Sequence, residues 1–186
     1  MHKTKKMALV GVFGALAFIV MLFVIPFPLT PWLKFDISDI VVLFSGLVGG
    51  VSVAIGVAFI KILLHTVITS TQSAGIGEIT NFVATLCYVL PIIFLYNKTK
   101  MIIISLLSGI LLMTFVMLVG NYYFITPFYA KLFKMDFILE MMAKGDSSYF
   151  KYIIYYYGSF NLFKGAVQSV VYYLIHKKLK ERYLVK

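Results

Sequence analysis

At 186 residues, with 61% of them hydrophobic, 13% charged and a mean hydropathy of +0.96, the chain falls outside the composition of a soluble domain and reads as an integral membrane protein. The length accommodates about six spans of roughly 20 residues, a single membrane domain over 1–186 with short loops and no length left for a soluble one. The net charge of +10 is a topology signal rather than a sign of nucleic-acid binding, because the cations gather in loops on one side of the expected membrane.

The expected fold class is all-α, a compact bundle of six transmembrane helices near 5–25, 38–48, 51–68, 76–96, 100–124 and 155–180. In the first, Lys3, Lys5 and Lys6 precede an apolar run of span length with no A-x-A cleavage site after it, so the segment is retained as a helix. Ala8, Gly11 and Ala15 follow i, i+3, i+7 spacing with Gly14 beside them. Such a strip of small residues lets another helix approach closely, either a docking partner or a neighbour inside the bundle.

The stretch "PFPLTPWLKFDISD", residues 26 to 39, sets three prolines and a tryptophan beside charges, which predicts an ordered interfacial loop. It serves either as a lid or as a headgroup-level anchor. The short second helix is parted from the third by Gly49-Gly50, a tight turn. Lys61 and His65, four apart, share a face of the third helix; with no second histidine or cysteine at ligand spacing, no metal site is expected, and polar packing toward the bundle interior is.

"TSTQSAGIGEITNF", residues 69 to 82, leads into the fourth helix and places Glu78 and Asn81 near its outer end, where backbone N–H groups remain available to a ligand. Gly75 and Gly77 permit close approach. The alternative is an ordinary helix start with Glu78 favoured by the macrodipole. No G-x-x-x-x-G-K-[ST] occurs, so the chain itself is not read as an ATPase. Cys87, the single cysteine, forms no intrachain disulfide and reads as packing.

Asn121, Tyr122 and Tyr123 close the fifth helix, and Asn161 and Lys164 open the sixth, three residues apart on one face. A charge at the bilayer centre costs at least about 2.5–3.5 kcal/mol, so Lys164 needs a partner or an outward path. With six spans, both termini and the 97–99 loop share the side that holds ten basic residues from Lys3 to Lys186 against Glu181 alone, which makes that side cytoplasmic. Glu78, Asn81, Asn121, Asn161 and Lys164 then all lie toward the external ends of three helices. An amide-lined pocket of this kind suits a planar heterocycle whose edge alternates carbonyl and N–H groups; interhelical hydrogen bonding is the other reading of each asparagine. The 13 tyrosines and 17 phenylalanines belong mostly to interface belts, with a few available to stack on an aromatic ligand. No catalytic nucleophile, metal or acid–base constellation is found.

The small-residue strip, "FPLTPWLKFDISD", "IKILLH", "AGIGEITNF", "NYYFITPFYAKLF" and "FNLFKG" together make nearly the whole chain resemble the substrate-binding S components of energy-coupling factor (ECF) transporters, and most closely their riboflavin-specific members. The resemblance implies a six-helix protein of the bacterial cell membrane, not an enzyme and without a cofactor, that captures riboflavin from outside. It also implies partners: a transmembrane coupling protein, which Ala8, Gly11 and Ala15 would contact, and two cytoplasmic ATPase subunits, all within a lipid bilayer and with no nucleic acid. Glu78, Asn81, Asn121, Asn161 and Lys164, with Gly75, Asp39 and Tyr122 from the same motifs, would bind the vitamin. "STQSAG" departs from the more threonine-rich stretch the family implies, which leaves riboflavin against its phosphate, FMN, open. The competing reading is a self-sufficient proton-coupled carrier with Glu78, His65 and Lys61 as the proton path, disfavoured by the lack of recognisable inverted repeats.

Overall fold

The structure is a computed structural model that describes residues 2–69, 75–145 and 147–183. Helix α1 (Lys3–Met21) ends four residues short of its expected limit, and the chain turns into a small antiparallel hairpin, β1 (Ile25–Phe27) and β2 (Thr30–Phe35). The prolines account for this. Pro26 holds Ile25 extended and Pro28 and Pro31 supply no N–H, so a helix cannot continue, while a two-stranded ribbon, which is all edge, tolerates them. Ile25 faces Phe35 and Phe27 faces Thr30 across the pair.

Two apolar helices follow, α2 (Asp39–Gly49) and α3 (Val51–Thr69). Gly50 between them has φ +89°, a backbone state that only glycine adopts without strain, so the expected tight turn is present. Helix α4 (Ile76–Thr99) follows and carries Pro91 within it. Helix α5 (Ile102–Gly120) passes through a π-helical stretch, Asn121–Ile125, into α6 (Thr126–Leu132). The expected end near 124 is therefore the site of an irregular turn within a longer rod. Short helices α7 (Asp136–Lys144) and α8 (Ser147–Tyr152) lead through a second π-helical stretch, Ile153–Gly158, into α9 (Ser159–Tyr183). Counting α5 with α6, and α8 with α9, as continuous rods leaves seven helices among the described residues; apart from the nine-residue α7 these are six principal helices, the number expected from the sequence.

Helix α2 is the shortest of the principal helices and touches α1, α3, α4 and α9. Its buried Val42 and Leu43 join Val53, Val57, Tyr88, Ile92 and Met113 in the main core. Close approach of α4 and α5 depends on Gly109, where an added Cβ would lie 2.5 Å from the Tyr88 carbonyl oxygen. Outward-facing side chains such as Phe59, Phe94, Leu111 and Phe115 stay exposed on the bundle, as expected where hydrocarbon is the solvent. Among the described residues, four helical rods are long and apolar enough to cross a membrane, namely α1, α3, α4 and the run from α5 into α6. A second small core of Ala130, Ile138, Tyr149 and Ile153 packs the segment between α6 and α9 together at the end of the bundle where the α5–α6 rod stops and α9 begins.

Candidate binding site

The polar residues expected at the outer end do not all meet. They sort into a central charged cluster, a Glu78–His65 pair and two flanking amides. The cluster begins at the start of α2, where the Asp36 carboxylate accepts a hydrogen bond from the Ser38 N–H at 2.8 Å and orients the entry to the helix. Asp39, fully buried, follows directly. One of its oxygens, Oδ1, is 2.7 Å from Lys61 Nζ of α3 and accepts from the Thr85 hydroxyl of α4 at 2.6 Å. The other, Oδ2, is 3.2 Å from Lys164 Nζ and accepts from Gln168 Nε2 at 3.0 Å, both on α9. A single carboxylate thus ties four helices together.

Lys61 is saturated. Besides Asp39, its ammonium donates to Ser38 Oγ at 3.1 Å, Thr85 Oγ1 at 3.0 Å and Asn81 Oδ1 at 3.3 Å. Polar packing toward the interior was the expectation for Lys61, and its burial follows that pattern; its role as the hub for Asp39 has no local signal, since the partner lies 22 residues away. Thr85, Gln168 and Ser38 are likewise members that sequence reading passed over. Gln168 also donates to the Asp36 carbonyl at 3.0 Å, and its Oε1 is buried without a hydrogen-bond partner among the described residues. Periodicity gave one usable hint: Asn161, Lys164 and Gln168 follow i, i+3, i+7 on α9 and therefore share a face.

The remaining expected residues sit around this cluster. Asn81 joins it through Lys61 and Thr85. Glu78, also buried, is instead 3.6 Å from His65 Nδ1 on α3. Asn161 donates to the Tyr157 carbonyl at 2.7 Å. Asn121, at the first position of the π-helical stretch, donates to the Met117 carbonyl at 2.7 Å and accepts from Thr126 at 3.3 Å. Both bonds run to residues four or five positions away in the same rod, so each amide is held by its own helix. Tyr122 stacks at a tilt on Tyr149, 5.1 Å between ring centroids, and its carbonyl accepts from the Tyr149 hydroxyl at 3.0 Å. Burial, with the neighbouring Tyr157 and Tyr122 adding to it, pushes Tyr149 up to about 12, so this hydroxyl keeps its proton and its donor role. Gly75, φ +82°, precedes α4. The polar stretch 70–74, where the sequence departs from the threonine-rich expectation, lies outside the described residues.

The hairpin packs on the first turns of α9. Phe27 packs edge-on to Phe160 at 5.5 Å and tilted against Phe163 at 5.4 Å, and Phe35 packs on the same two rings at 6.4 and 5.6 Å. These phenylalanines alternate with Asn161 and Lys164 along α9, so the aromatic clasp and the polar face belong to the same two turns. A groove of about 610 Å³ between α4 and the α5–α6 rod is lined by apolar residues such as Ile79, Val83, Phe124 and Phe128, with Lys131 and Thr80 as polar exceptions. None of the expected binding residues lines it.

On α1, Ala8, Gly11 and Ala15 are all exposed, and a Cβ on Gly11 would meet nothing within 4 Å. Gly14 and Ala17 form the packed face of that helix instead.

Residues 5–176 match the family described as "ECF transporter, substrate-specific component". The chain is 34% identical to "Riboflavin transporter FmnP" of Bacillus subtilis (strain 168) over 183 residues, covering 96% of this chain and 93% of that protein. It is 30% identical to "Riboflavin transporter RibU" of Streptococcus thermophilus over 185 residues, covering 97% of this chain and 85% of that protein. Its fold is similar to a solved structure titled "Structure and mechanism of the S component of a bacterial ECF transporter", with a TM-score of 0.74, 25% identity and full coverage of both chains.

Proposed function

The chain belongs to the substrate-specific components of ECF transporters, and from that premise we propose that it binds riboflavin at the outer end of its bundle and delivers it inward with an ATP-hydrolysing coupling module. Its relatives of nearly equal length are named riboflavin transporters. The observation that carries the reading to particular residues is the buried Lys164–Asp39 contact at 3.2 Å, one helical turn from Asn161 and flanked by the aromatic clasp of the hairpin. A flavin presents a flat apolar ring system, carbonyl and N–H groups along one edge, and a polyhydroxyl chain. Lysine and asparagine side chains answer the polar edge, and phenylalanine and tyrosine rings answer the flat faces.

In this reading Lys164, Asn161, Asn121, Asn81 and Glu78 hydrogen-bond the vitamin, with Asp39, Gly75 and Tyr122 shaping the same site within one membrane domain spanning 1–186. The hairpin acts as the cover. Both termini face the cytoplasm, where the lysines of α1 and of the chain's end lie. The exposed strip Ala8, Gly11 and Ala15 meets the transmembrane coupling protein, which in turn engages two ATPase subunits; exposure of all three residues supports a contact outside the bundle over internal packing.

The test is direct. Purified protein should carry flavin absorbance or acquire it on titration with riboflavin, and vesicles holding the protein with its coupling module should accumulate riboflavin only while ATP is hydrolysed. Absence of flavin binding removes the substrate; uptake that persists without ATP hydrolysis removes the module and favours a self-sufficient carrier.

A further inference from the structure

Two lysines share one carboxylate in this cluster, and they hold it unequally. Asp39 Oδ1 takes the short contacts, Lys61 at 2.7 Å and Thr85 at 2.6 Å, while Oδ2 takes the longer ones, Lys164 at 3.2 Å and Gln168 at 3.0 Å. Lys61 has four acceptors around its three N–H groups and no exposed surface. It cannot leave without stranding groups on α2 and α4. Lys164 can: were its ammonium to turn away, Asp39 would keep Lys61, Thr85 and Gln168, so no charge would be left bare in a medium where a bare charge is costly.

We infer that Lys61 is a positioning residue for the vitamin site: by neutralising Asp39 it lets Lys164 exchange its carboxylate contact for an acceptor oxygen of the bound ligand. The inference rests on Lys164 being a ligand contact, as proposed above. Without Lys61, Asp39 has Lys164 as its only cation among the described residues, and the energy needed to draw Lys164 onto a neutral carbonyl or hydroxyl rises accordingly. Lys61 touches no ligand in this scheme. It sets how readily Lys164 can, and the ligand class it serves is a neutral, acceptor-bearing edge such as a flavin carbonyl.

A double-mutant cycle on the purified full-length chain in detergent tests this, with riboflavin titrated by fluorescence quenching and folding followed by thermal unfolding. Lys61→Met is expected to weaken riboflavin binding by about tenfold when Lys164 is present, but by less than about twofold in a Lys164→Met background, because its effect passes through Lys164. Equal losses in the two backgrounds, or no loss in the first, would overturn the inference and leave Lys61 as packing. Should Lys61→Met fail to fold, Thr85→Val removes one Asp39 donor without altering charge, and should Lys164→Met fail to fold, Lys164→Gln serves as the second background. It should weaken binding by roughly threefold with Lys164 present and not in its absence, and an equal factor in both backgrounds overturns the inference. If Lys164→Met alone binds riboflavin as the native chain does, the site assignment itself fails, and the positioning role of Lys61 falls with it.

Discussion

The buried charged cluster and the outward strip of α1 are two small groups of residues that satisfy opposite conditions. In the cluster, Asp39 and Lys61 are fully buried, and their charged atoms are engaged across four helices. On α1, Ala8, Gly11 and Ala15 are uncovered, and open space surrounds the position of a Gly11 Cβ. The same helix shows what a packed small residue looks like: a Cβ on Gly14 would lie 2.6 Å from Ile60 Cγ2 and 2.9 Å from Ile60 Cβ. Internal packing therefore accounts for Gly14 and not for Gly11. Function has to be sought differently in the two groups, by removing bonds in one and by adding bulk in the other.

The largest expected effect breaks the buried cluster outright. Asp39→Ala leaves Lys61 and Lys164 without their shared anion and should destabilise the fold by about 3–5 kcal/mol, the usual cost of stranding a buried charge; thermal unfolding in detergent measures it. Lys164→Ala is milder on folding, since Asp39 keeps Lys61, but should cost about 1.5–3 kcal/mol of riboflavin binding, or roughly ten- to a hundredfold in affinity. Unchanged affinity in a folded variant would take Lys164 out of the site.

On α1, Gly14→Val should cost about 1–3 kcal/mol by forcing Ile60 aside, visible as a lower unfolding temperature. A smaller effect is expected at the hairpin. Phe27→Ala removes contacts to Phe160 and Phe163, and loss of aromatic pairs worth about 0.5–1.5 kcal/mol each should show mainly as a faster riboflavin dissociation rate in stopped-flow. An unaltered rate would make the hairpin an anchor rather than a cover.

The smallest effect on the isolated protein sharpens the comparison most. Gly11→Leu and Ala15→Leu should change stability by no more than about 0.5 kcal/mol and leave riboflavin binding intact, while ATP-dependent uptake in vesicles with the coupling module falls. Normal uptake in both variants would end the docking assignment, and lost binding in both would return the strip to internal packing.

Much of the architecture was legible because its signals are local. Span-length apolar runs, the Gly49-Gly50 break and the lysines gathered at one side are each contained within a few residues, and they yielded six rods and an expected orientation. The hairpin was read only as an ordered, proline-rich loop. Its strands depend on a pairing between Ile25–Phe27 and Thr30–Phe35 and on Phe160 and Phe163, more than a hundred positions further on. The two π-helical stretches were invisible for a related reason: Asn121–Ile125 and Ile153–Gly158 differ from the α-helices around them by hydrogen bonds that span one residue more, which composition does not record.

What the sequence determined by itself is therefore the solvent and the scaffold: hydrocarbon around the chain, helices as the way to satisfy its backbone there, and polar side chains at the helix ends on one side. Which of those side chains would join was decided only by tertiary structure. Asn121 and Asn161 looked equivalent to Asn81, yet each bonds a carbonyl four residues back in its own rod, while Asn81 reaches across to Lys61. Asp39 meets Gln168 across 129 positions of chain, and Lys61 meets Thr85 across 24. Periodicity assigns a residue to a face of its own helix; which face it meets depends on how the helices pack, and in a low-dielectric interior that meeting decides whether a buried charge is tolerable at all.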